Sequence, residues 1–503
     1  MKYQGDTISA FFAPVVLLLA LLPVSWAGAA ETLSLTTAVR RVLESDPGIQ
    51  VSRNRTLQAR ERYNLTLSGT RPRADLEVRP YTYDRRRTPP GPSPAGDTQT
   101  YSVGAGLFLR QPLTTSGALS AGIDHTTRRV SPEEGADRWD QVPEVSLRWD
   151  QPLMAGEQII GSRLFRAGLR EAEIGFSQAE YIHEATRNDA VREVLELYTR
   201  TGNLRRSTEL LRETIELLRR QLESAELDRQ QGLISDTALL ALQVTLNNRR
   251  EALFSTQLQL VQVEQLLARS MGMDGIEGME LEDLPETLPI PQFSDLRTAV
   301  RDNPRVRVGE LTVEQAEKQT ILGTATDRPS LSLFARAMPV YPAEREEPDS
   351  FSASFSDLFT SDAGIDVTAG LAVTVPLLTA RQRAYRTRID ELTRRNAVLE
   401  LEDLEQVLAN MMRTLTMNRR FLEERLELLE MDIDYEERRV QNERTLLEAG
   451  VTTDLRVREV ELDLRSRLNE RSRVRAELLL NSLDILSLLG EDLEALFLSS
   501  RGT

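Results

Sequence analysis

The most constraining feature of this sequence is a pair of very long segments without a proline, residues 158–231 and 380–448. As one continuous α-helix, the first would be roughly 110 Å long. Large apolar residues recur in both at steps of three, four and seven, as at Leu211, Ile215 and Leu218. This heptad spacing predicts helices that wrap around one another as coiled coils. Because a two-helix hairpin of this length cannot bury its apolar stripe alone, the sequence also predicts oligomerisation.

Short motifs recur in the same order in the two halves of the chain, each at a boundary between predicted elements. The matching pairs are Ala38 with Ala299, Pro47 with Pro304, Pro72 with Pro329, Pro152 with Pro376, and Gly232 with Gly450. We interpret this as an internal duplication. Each copy is predicted to contain a short helix, a medium helix, strands, a very long helix, a turn and another long helix.

The duplication divides the chain into five parts. We predict a signal peptide over 1–29, a first repeat over 30–272, a linker over 273–292, a second repeat over 293–490, and a C-terminal tail over 491–503. The first repeat is expected to hold strands at about 74–153 and a helical hairpin at 158–271. The second is expected to hold strands at about 330–377 and a hairpin at 380–490. Glycines and prolines among acidic residues mark the linker.

The N-terminus has the composition of a secretory signal. Lys2 precedes an apolar run over 11–24, and small residues follow, so cleavage after Ala29 or Ala30 is expected. The run is too short for a transmembrane anchor, which needs about 20 apolar residues. The sequence holds no second apolar run of that length, so any passage through a membrane would have to use β-strands.

Six segments alternate between apolar and small or polar residues, which is typical of strands. They start near Leu76, Tyr101, Ala118, Val145, Leu331 and Ile365. Several reach the roughly 9–11 residues of a tilted membrane strand. Ordinary half-buried strands of a soluble protein are the alternative, but so few long strands between very long helices favour membrane strands. Because six strands are too few to close a barrel within one chain, strands from other subunits would be needed to complete it.

Composition excludes several classes of function. The chain has no cysteine, which excludes disulfides and thiol catalysis, and only two histidines, His125 and His183. A net charge of −16 argues against nucleic acid as a partner. Neither histidine has a second one near it in sequence, and no phosphate-binding loop opens a helix. We therefore predict no catalytic, cofactor-binding or metal site, and no enzyme.

The residues resemble the TolC-like outer-membrane efflux proteins, also called outer membrane factors. The resemblance rests on the start of the first repeat at 33–39 with Asp46 and Pro47 after it, on the strand-to-helix junctions at 151–153 and 375–377, and on two glycine turns followed four residues later by an acidic residue. It implies a mainly α fold with a small transmembrane β-barrel portion. Three chains would form one barrel in the outer-membrane lipid and one periplasmic α-barrel of twelve helices.

The resemblance also implies a function and partners. It implies the exit duct of a tripartite efflux or type I secretion system, at the outer membrane and extending into the periplasm, that meets an inner-membrane transporter through a periplasmic adaptor. The alternative is a secreted or periplasmic coiled-coil scaffold or adhesin. Usual members contribute four strands per subunit, whereas this sequence predicts six, which suggests an inserted hairpin before residues 151–153. The cargo stays open.

Five residues are candidates for function under this resemblance. Gly232 and Gly450 would lie at the periplasmic tips and contact the adaptor, and Asp454 and Glu459, with Arg456 between them, would line the periplasmic gate. Purely structural roles are the alternative. Glycine commonly ends a helix in a left-handed conformation, and an aspartate at a helix N-terminus is favourable by about 0.3–1 kcal/mol.

Overall fold

The computed structural model describes residues 32–88, 96–132, 135–155, 158–159, 163–283, 288–291, 295–326, 329–340, 364–377 and 380–498. The predicted signal peptide and both of its cleavage sites lie outside these residues. Two structural layers are present, one of long helices and one of long strands, and in each repeat the chain passes from short helices through strands into a long helical hairpin.

The first repeat begins with two helices in sequence. Ser34 accepts the Thr37 N–H at the start of the first helix, and Asp46 accepts the Ile49 N–H at the start of the second. Its elements are β1 (Thr32–Leu33), α1 (Leu35–Ser45), α2 (Pro47–Ser68), β2 (Arg73–Thr88), β3 (Gly96–Pro112), β4 (Ala118–Pro132), β5 (Arg138–Ala155), β6 (Gln158–Ile159), α3 (Arg163–Gln230), α4 (Asp236–Ser270) and β7 (Glu280–Leu281).

The second repeat has the same order with one strand hairpin fewer. Its elements are α5 (Leu296–Ala299), α6 (Pro304–Thr326), β8 (Ser330–Val340), β9 (Gly364–Thr374), α7 (Ala380–Glu448), α8 (Asp454–Leu488) and α9 (Leu493–Leu498). The long helix predicted from residue 380 begins there. The one predicted from residue 158 begins instead at Arg163, because Gln158 and Ile159 pair with the end of β5.

The long helices form a layer in the order α4, α3, α8, α7. Helix α3 packs on α4, α7 packs on α8, and the two hairpins meet along α3 and α8. Leu422 and Leu429 of α7 are buried against Val474 and Leu478 of α8, which confirms the predicted heptad contact. No helix in the described part of the chain is both long and apolar enough to cross a membrane.

All six predicted strands are present, and they form one antiparallel sheet in the order β2, β3, β4, β5, β8, β9. The additional hairpin is an integral part of the sheet, because β3 pairs with β4 over its length and β4 pairs with β5. One face is apolar: Leu76, Leu107, Ile123 and Val145 lie side by side across four strands. The β2 and β9 edges have no neighbour among the described strands.

The largest core lies where the two repeats meet. Val39 of α1, Leu195 of α3, Leu267 of α4, Leu483 of α8 and Leu493 of α9 are all buried in one cluster. The sequence assigned residues 491–503 to a tail, but Leu493–Leu498 form a helix whose apolar face completes this core.

The linker between the repeats is also fixed to the first repeat. Strand β7 pairs in parallel with β1. The Tyr198 hydroxyl lies 2.8 Å from the carbonyl oxygen of Leu33 and 2.9 Å from that of Glu282, so it bridges the two segments. Burial raises the pKa of Tyr198 to about 12, so this hydroxyl keeps its proton at neutral pH.

Candidate functional site

The two helical hairpins end in turns with almost the same geometry. Gly232 has a φ of +74° and Gly450 a φ of +72°. After each glycine, an N–H reaches back to the helix: Leu233 donates to Asp228 over 2.8 Å, and Val451 donates to Leu446 over 2.9 Å. This six-residue closure with a left-handed glycine is a Schellman motif. The structural role inferred from the sequence for both glycines is confirmed.

The returning helices start in the same way in both repeats. Ser235 accepts the backbone N–H of Ala238 over 3.2 Å, and Thr453 accepts that of Arg456 over 3.4 Å. An aspartate follows each cap, where its charge favours the positive end of the helix dipole. The two tips are therefore duplicates in backbone and in capping chemistry.

Each tip also presents one aliphatic side chain to solvent, which the sequence reading missed. Leu233 is 69% exposed and Val451 is 72% exposed, and each directly follows the left-handed glycine. Open space surrounds both glycines, since a Cβ at either position would meet nothing within 4 Å. The signal was present in the duplication itself, because both copies have an aliphatic residue after the glycine.

The three gate candidates lie together in the first two turns of α8. The Arg456 guanidinium lies 2.6 Å from the Glu459 carboxylate on the same helix and 4.0 Å from Glu443 of α7. Asp454 pairs instead with Arg458, at 3.4 Å. Within one chain the two carboxylates and two guanidinium groups of this segment sum to zero charge.

One histidine lies at the contact between α2 and α3. His183 Nδ1 is 2.8 Å from Ser52 Oγ, and Ser52 donates its own proton to the Ile49 carbonyl oxygen. The serine oxygen therefore accepts from Nδ1–H. Burial lowers the pKa of His183, and the nearby Arg187 and Arg53 lower it further. The arrangement is a packing contact between helices.

The face of the sheet opposite its apolar face carries polar and aromatic side chains. Arg79 of β2 reaches across β3 to pair with Asp124 of β4, and it passes over Gly104. Phe108 lies against Gly122 on the neighbouring strand, and Phe334 repeats this pairing with Gly370. The glycines give these long side chains room to lie flat along the sheet.

The remaining histidine lies on the apolar face of the sheet. His125 Nε2 is 2.7 Å from Gln141 of the adjacent strand. Among the residues that the structure describes, no group of three or more histidine, aspartate or glutamate side chains is placed to hold a metal ion.

Comparisons with known proteins agree with this architecture. A family model described as outer membrane efflux protein matches residues 296–491. Protein CyaE of Bordetella pertussis is 25% identical over 303 residues, which are 58% of this chain and 59% of that protein. The matched part thus spans about three fifths of the relative.

Solved structures of outer-membrane channels share the fold over nearly the whole chain. The channel OprN matches with a TM-score of 0.63 at 14% identity, over 91% of this chain and 89% of that chain. The outer membrane protein VceC from Vibrio cholerae matches with a TM-score of 0.61 at 14% identity, over 91% of this chain and 96% of that chain.

The family match of the second repeat and the fold lead to one location. The protein is located at the outer membrane and extends into the periplasm. Its fold is that of outer-membrane channel proteins. With the duplicated helical hairpins and the mixed helix and sheet architecture, these findings show that the chain has the fold of TolC-like outer-membrane channels and that residues 296–491 match the outer membrane efflux protein family.

Proposed function

We propose that three copies of this chain form the outer-membrane exit duct of a tripartite efflux or type I secretion system, a passive conduit through the periplasm and the outer membrane. The single observation that carries the proposal is the pair of exposed apolar edges of the helix layer. Helices α4 and α7 each pack on one long helix and leave their other side exposed in the described chain.

The exposed apolar residues of both edge helices recur at helical spacing. On α4 they are Leu240, Val244, Phe254, Leu258, Val261 and Leu266, and on α7 they include Ile389, Leu392, Leu399, Phe421, Leu428, Met431 and Tyr435. Exposed apolar stripes of this length are interfaces. Both exposed edges of this four-helix layer are buried when α4 of one copy packs on α7 of the next. Three copies arranged in this way supply twelve helices.

The sheet supports the same assembly. Its edges, β2 and β9, expose backbone N–H and C=O groups, which lipid cannot satisfy. Each chain contributes six strands whose directions alternate. Because six is an even number, β9 of one copy would meet β2 of the next in antiparallel orientation. Three copies would close a barrel of eighteen strands. Since barrel diameter grows roughly linearly with strand number, it would be about 1.5-fold wider than one built from four strands per chain.

The height of the apolar face fits a bilayer. Trp139 and Trp149 point to the same face of β5 and lie ten residues apart. Ten residues of strand span about 33 Å, or about 25 Å along the membrane normal at a tilt near 40°. Membrane barrels have apolar bands of that height between two aromatic girdles. A periplasmic scaffold or adhesin, the alternative, has no use for such a face.

The partners are inferred from the end of the molecule that carries the helix tips. The helix tips, with exposed Leu233 and Val451, would contact a periplasmic adaptor and through it an inner-membrane transporter. The segment with Asp454, Arg456 and Glu459 would line the narrow periplasmic end of the tunnel. Selection of the cargo would belong to the transporter, because a duct of this kind only has to let the cargo pass.

A covalent cross-link tests the assembly. Phe254 lies 18 residues from the tip end of α4, and Met431 lies 17 residues from the tip end of α7, so both are about 26 Å above the tips. The chain has no cysteine. Phe254→Cys with Met431→Cys, oxidised in the membrane, should give a covalent trimer on denaturing gels, whereas each single variant should stay monomeric.

The mass in mild detergent completes the test. Light scattering should give the mass of three chains. A monomeric mass, or a trimer in which the double variant forms no covalent ladder, would contradict the proposed packing of α4 on α7.

A further inference from the structure

The apolar face of the sheet contains a groove at the end farthest from the helices. Its cavity has a volume of about 390 Å³ and is lined by Tyr81, Gln99, Tyr101, Arg129, Ser131 and Trp139, among others. The strand register puts these side chains on the face that also carries Leu107 and Ile123. The groove therefore opens outward from the sheet.

Aromatic rings and one arginine form its walls. The rings of Tyr101 and Tyr83 are 5.1 Å apart, and those of Tyr101 and Tyr81 are 6.2 Å apart. The Arg129 guanidinium lies over the Trp139 ring at 5.9 Å. A guanidinium has five N–H donors, and the described hydrogen bonds to Asp137 use two of them. Arg129 can thus pair with a further oxyanion.

The region beyond the groove is rich in charge. Arg85 pairs with Asp97 at 2.9–3.0 Å, and Arg87 follows on the same strand and face. Below the groove the same face turns apolar, with Val103 in the groove wall and Leu107 beneath it. A ligand that fits must therefore be amphipathic, with an anionic head at Arg129 and an apolar part toward Leu107.

We propose that this groove binds the phosphorylated sugar headgroup of an outer-leaflet glycolipid. Flat aromatic rings stack on the apolar faces of sugar rings, and a guanidinium pairs with a phosphate in a bidentate manner. The groove lies at the level of Trp139, the distal aromatic residue of the apolar band, which is where a bilayer places its headgroups. The inference rests on the proposed insertion of the sheet into the outer membrane.

The site belongs to the hairpin that distinguishes this chain. Arg129 and Ser131 come from β4 and Trp139 from β5, the two strands of the additional hairpin. With four strands per chain, four of the nine lining residues would be missing, among them the arginine and the tryptophan. The hairpin would then both widen the barrel and anchor it to the outer leaflet.

The test measures lipid binding by purified trimers. Native mass spectrometry follows the titration of trimers in mild detergent with bisphosphorylated lipid A, with its dephosphorylated form, and with phosphatidylethanolamine. The wild type should bind the bisphosphorylated lipid in preference to both others. Arg129→Ala with Trp139→Ala should weaken that binding by about tenfold or more, the loss expected from two contacts of this kind.

Two matched variants separate this site from general lipid contact. Trp149→Ala removes the tryptophan that lies ten residues away on the same face of the same strand and should leave binding unchanged. Arg129→Gln keeps a polar side chain without the positive charge and should lose only the preference for phosphate. Equal binding of all three lipids, or unchanged binding by the double variant, would overturn the proposal. Trimer mass and single-channel conductance, measured on the same samples, show separately whether the duct itself has formed.

Discussion

The backbone of Gly490 lies directly against the peptide group that follows Asp302. A Cβ at position 490 would stand 2.6 Å from the carbonyl carbon of Asp302, and Gly490 has a φ of +81°. This contact joins the end of α8 to the start of α6. Asn303 supports it by donating to the Ser487 carbonyl oxygen over 3.1 Å.

Gly490→Ala is therefore expected to destabilise the protein. A left-handed conformation costs a residue with a Cβ roughly 1–2 kcal/mol, and the backbone contact adds to this. We expect a loss of at least about 2 kcal/mol, seen as a lower dissociation temperature of the trimer. The control is Gly175→Ala in α3, where a Cβ meets nothing within 4 Å and alanine should stabilise by about 0.5–1 kcal/mol. Equal effects of both changes would contradict this account.

The exposed aliphatic residues at the tips should be needed for export. Leu233→Glu with Val451→Glu should abolish cross-linking to the adaptor and transport in cells, because a charge buried in an apolar contact is costly. Trimers should persist, since both side chains are exposed in the described chain. The conservative pair Leu233→Ile and Val451→Ile should keep export. Normal export by the glutamate variant would remove the tips from the proposed docking surface.

Ion selectivity tests the gate candidates. Asp454→Ala with Glu459→Ala would remove the only described carboxylate partner of Arg458 and would leave Arg456 with Glu443 alone, at 4.0 Å. In a trimer this makes the narrow end more positive, so selectivity for cations should fall. Arg456→Ala should shift it in the opposite direction. Reversal potentials of planar bilayers in a potassium chloride gradient measure both shifts, and identical potentials in all variants would exclude this segment from the gate.

His183 predicts a dependence of stability on pH. Its pKa is lowered in the folded state by burial and by Arg187 and Arg53, so the unfolded chain takes up the proton first. Stability should be complete above the ordinary imidazole pKa of about 6.5 and should decrease as the pH falls below it.

Replacement of His183 isolates this effect. His183→Gln keeps a polar contact to Ser52 and should flatten the pH dependence of trimer dissociation between pH 7.5 and 5.5. The neighbouring Glu184 acts with the opposite sign, because burial and Asp492 raise its pKa in the folded state. An unchanged pH profile in the glutamine variant would show that the His183 contact does not control stability in this range.

The long helices, the strands and both tip turns could be predicted because each has a local cause. Heptad spacing, alternation, and a glycine before a capping residue are visible in a few consecutive positions, as at Gly450 and Thr453. The exposure of Leu233 and Val451 depends on which segments cover the turns, so the only sequence sign of it is the aliphatic residue that follows the glycine in both copies.

Other features depend on contacts between distant segments. Arg456 was expected to stand among acidic residues, but its pairing with Glu459 and that of Asp454 with Arg458 depend on rotamers. The burial of Leu493 depends on Asn188, whose side chain accepts the Leu493 N–H over 3.2 Å from the middle of α3. Periodicity in residues 491–503 could not reveal this.

The main core joins residues that are far apart in the chain, from Leu33 to Phe497. Neither repeat can finish that core by itself, so the two halves cannot fold one after the other as independent units. Contacts of such large sequence separation form late, because the intervening chain has to be brought together first. The apolar stripes of a newly translocated chain would thus stay exposed until its last helix has entered the periplasm. Periplasmic chaperones would have to protect the chain from aggregation during that whole interval.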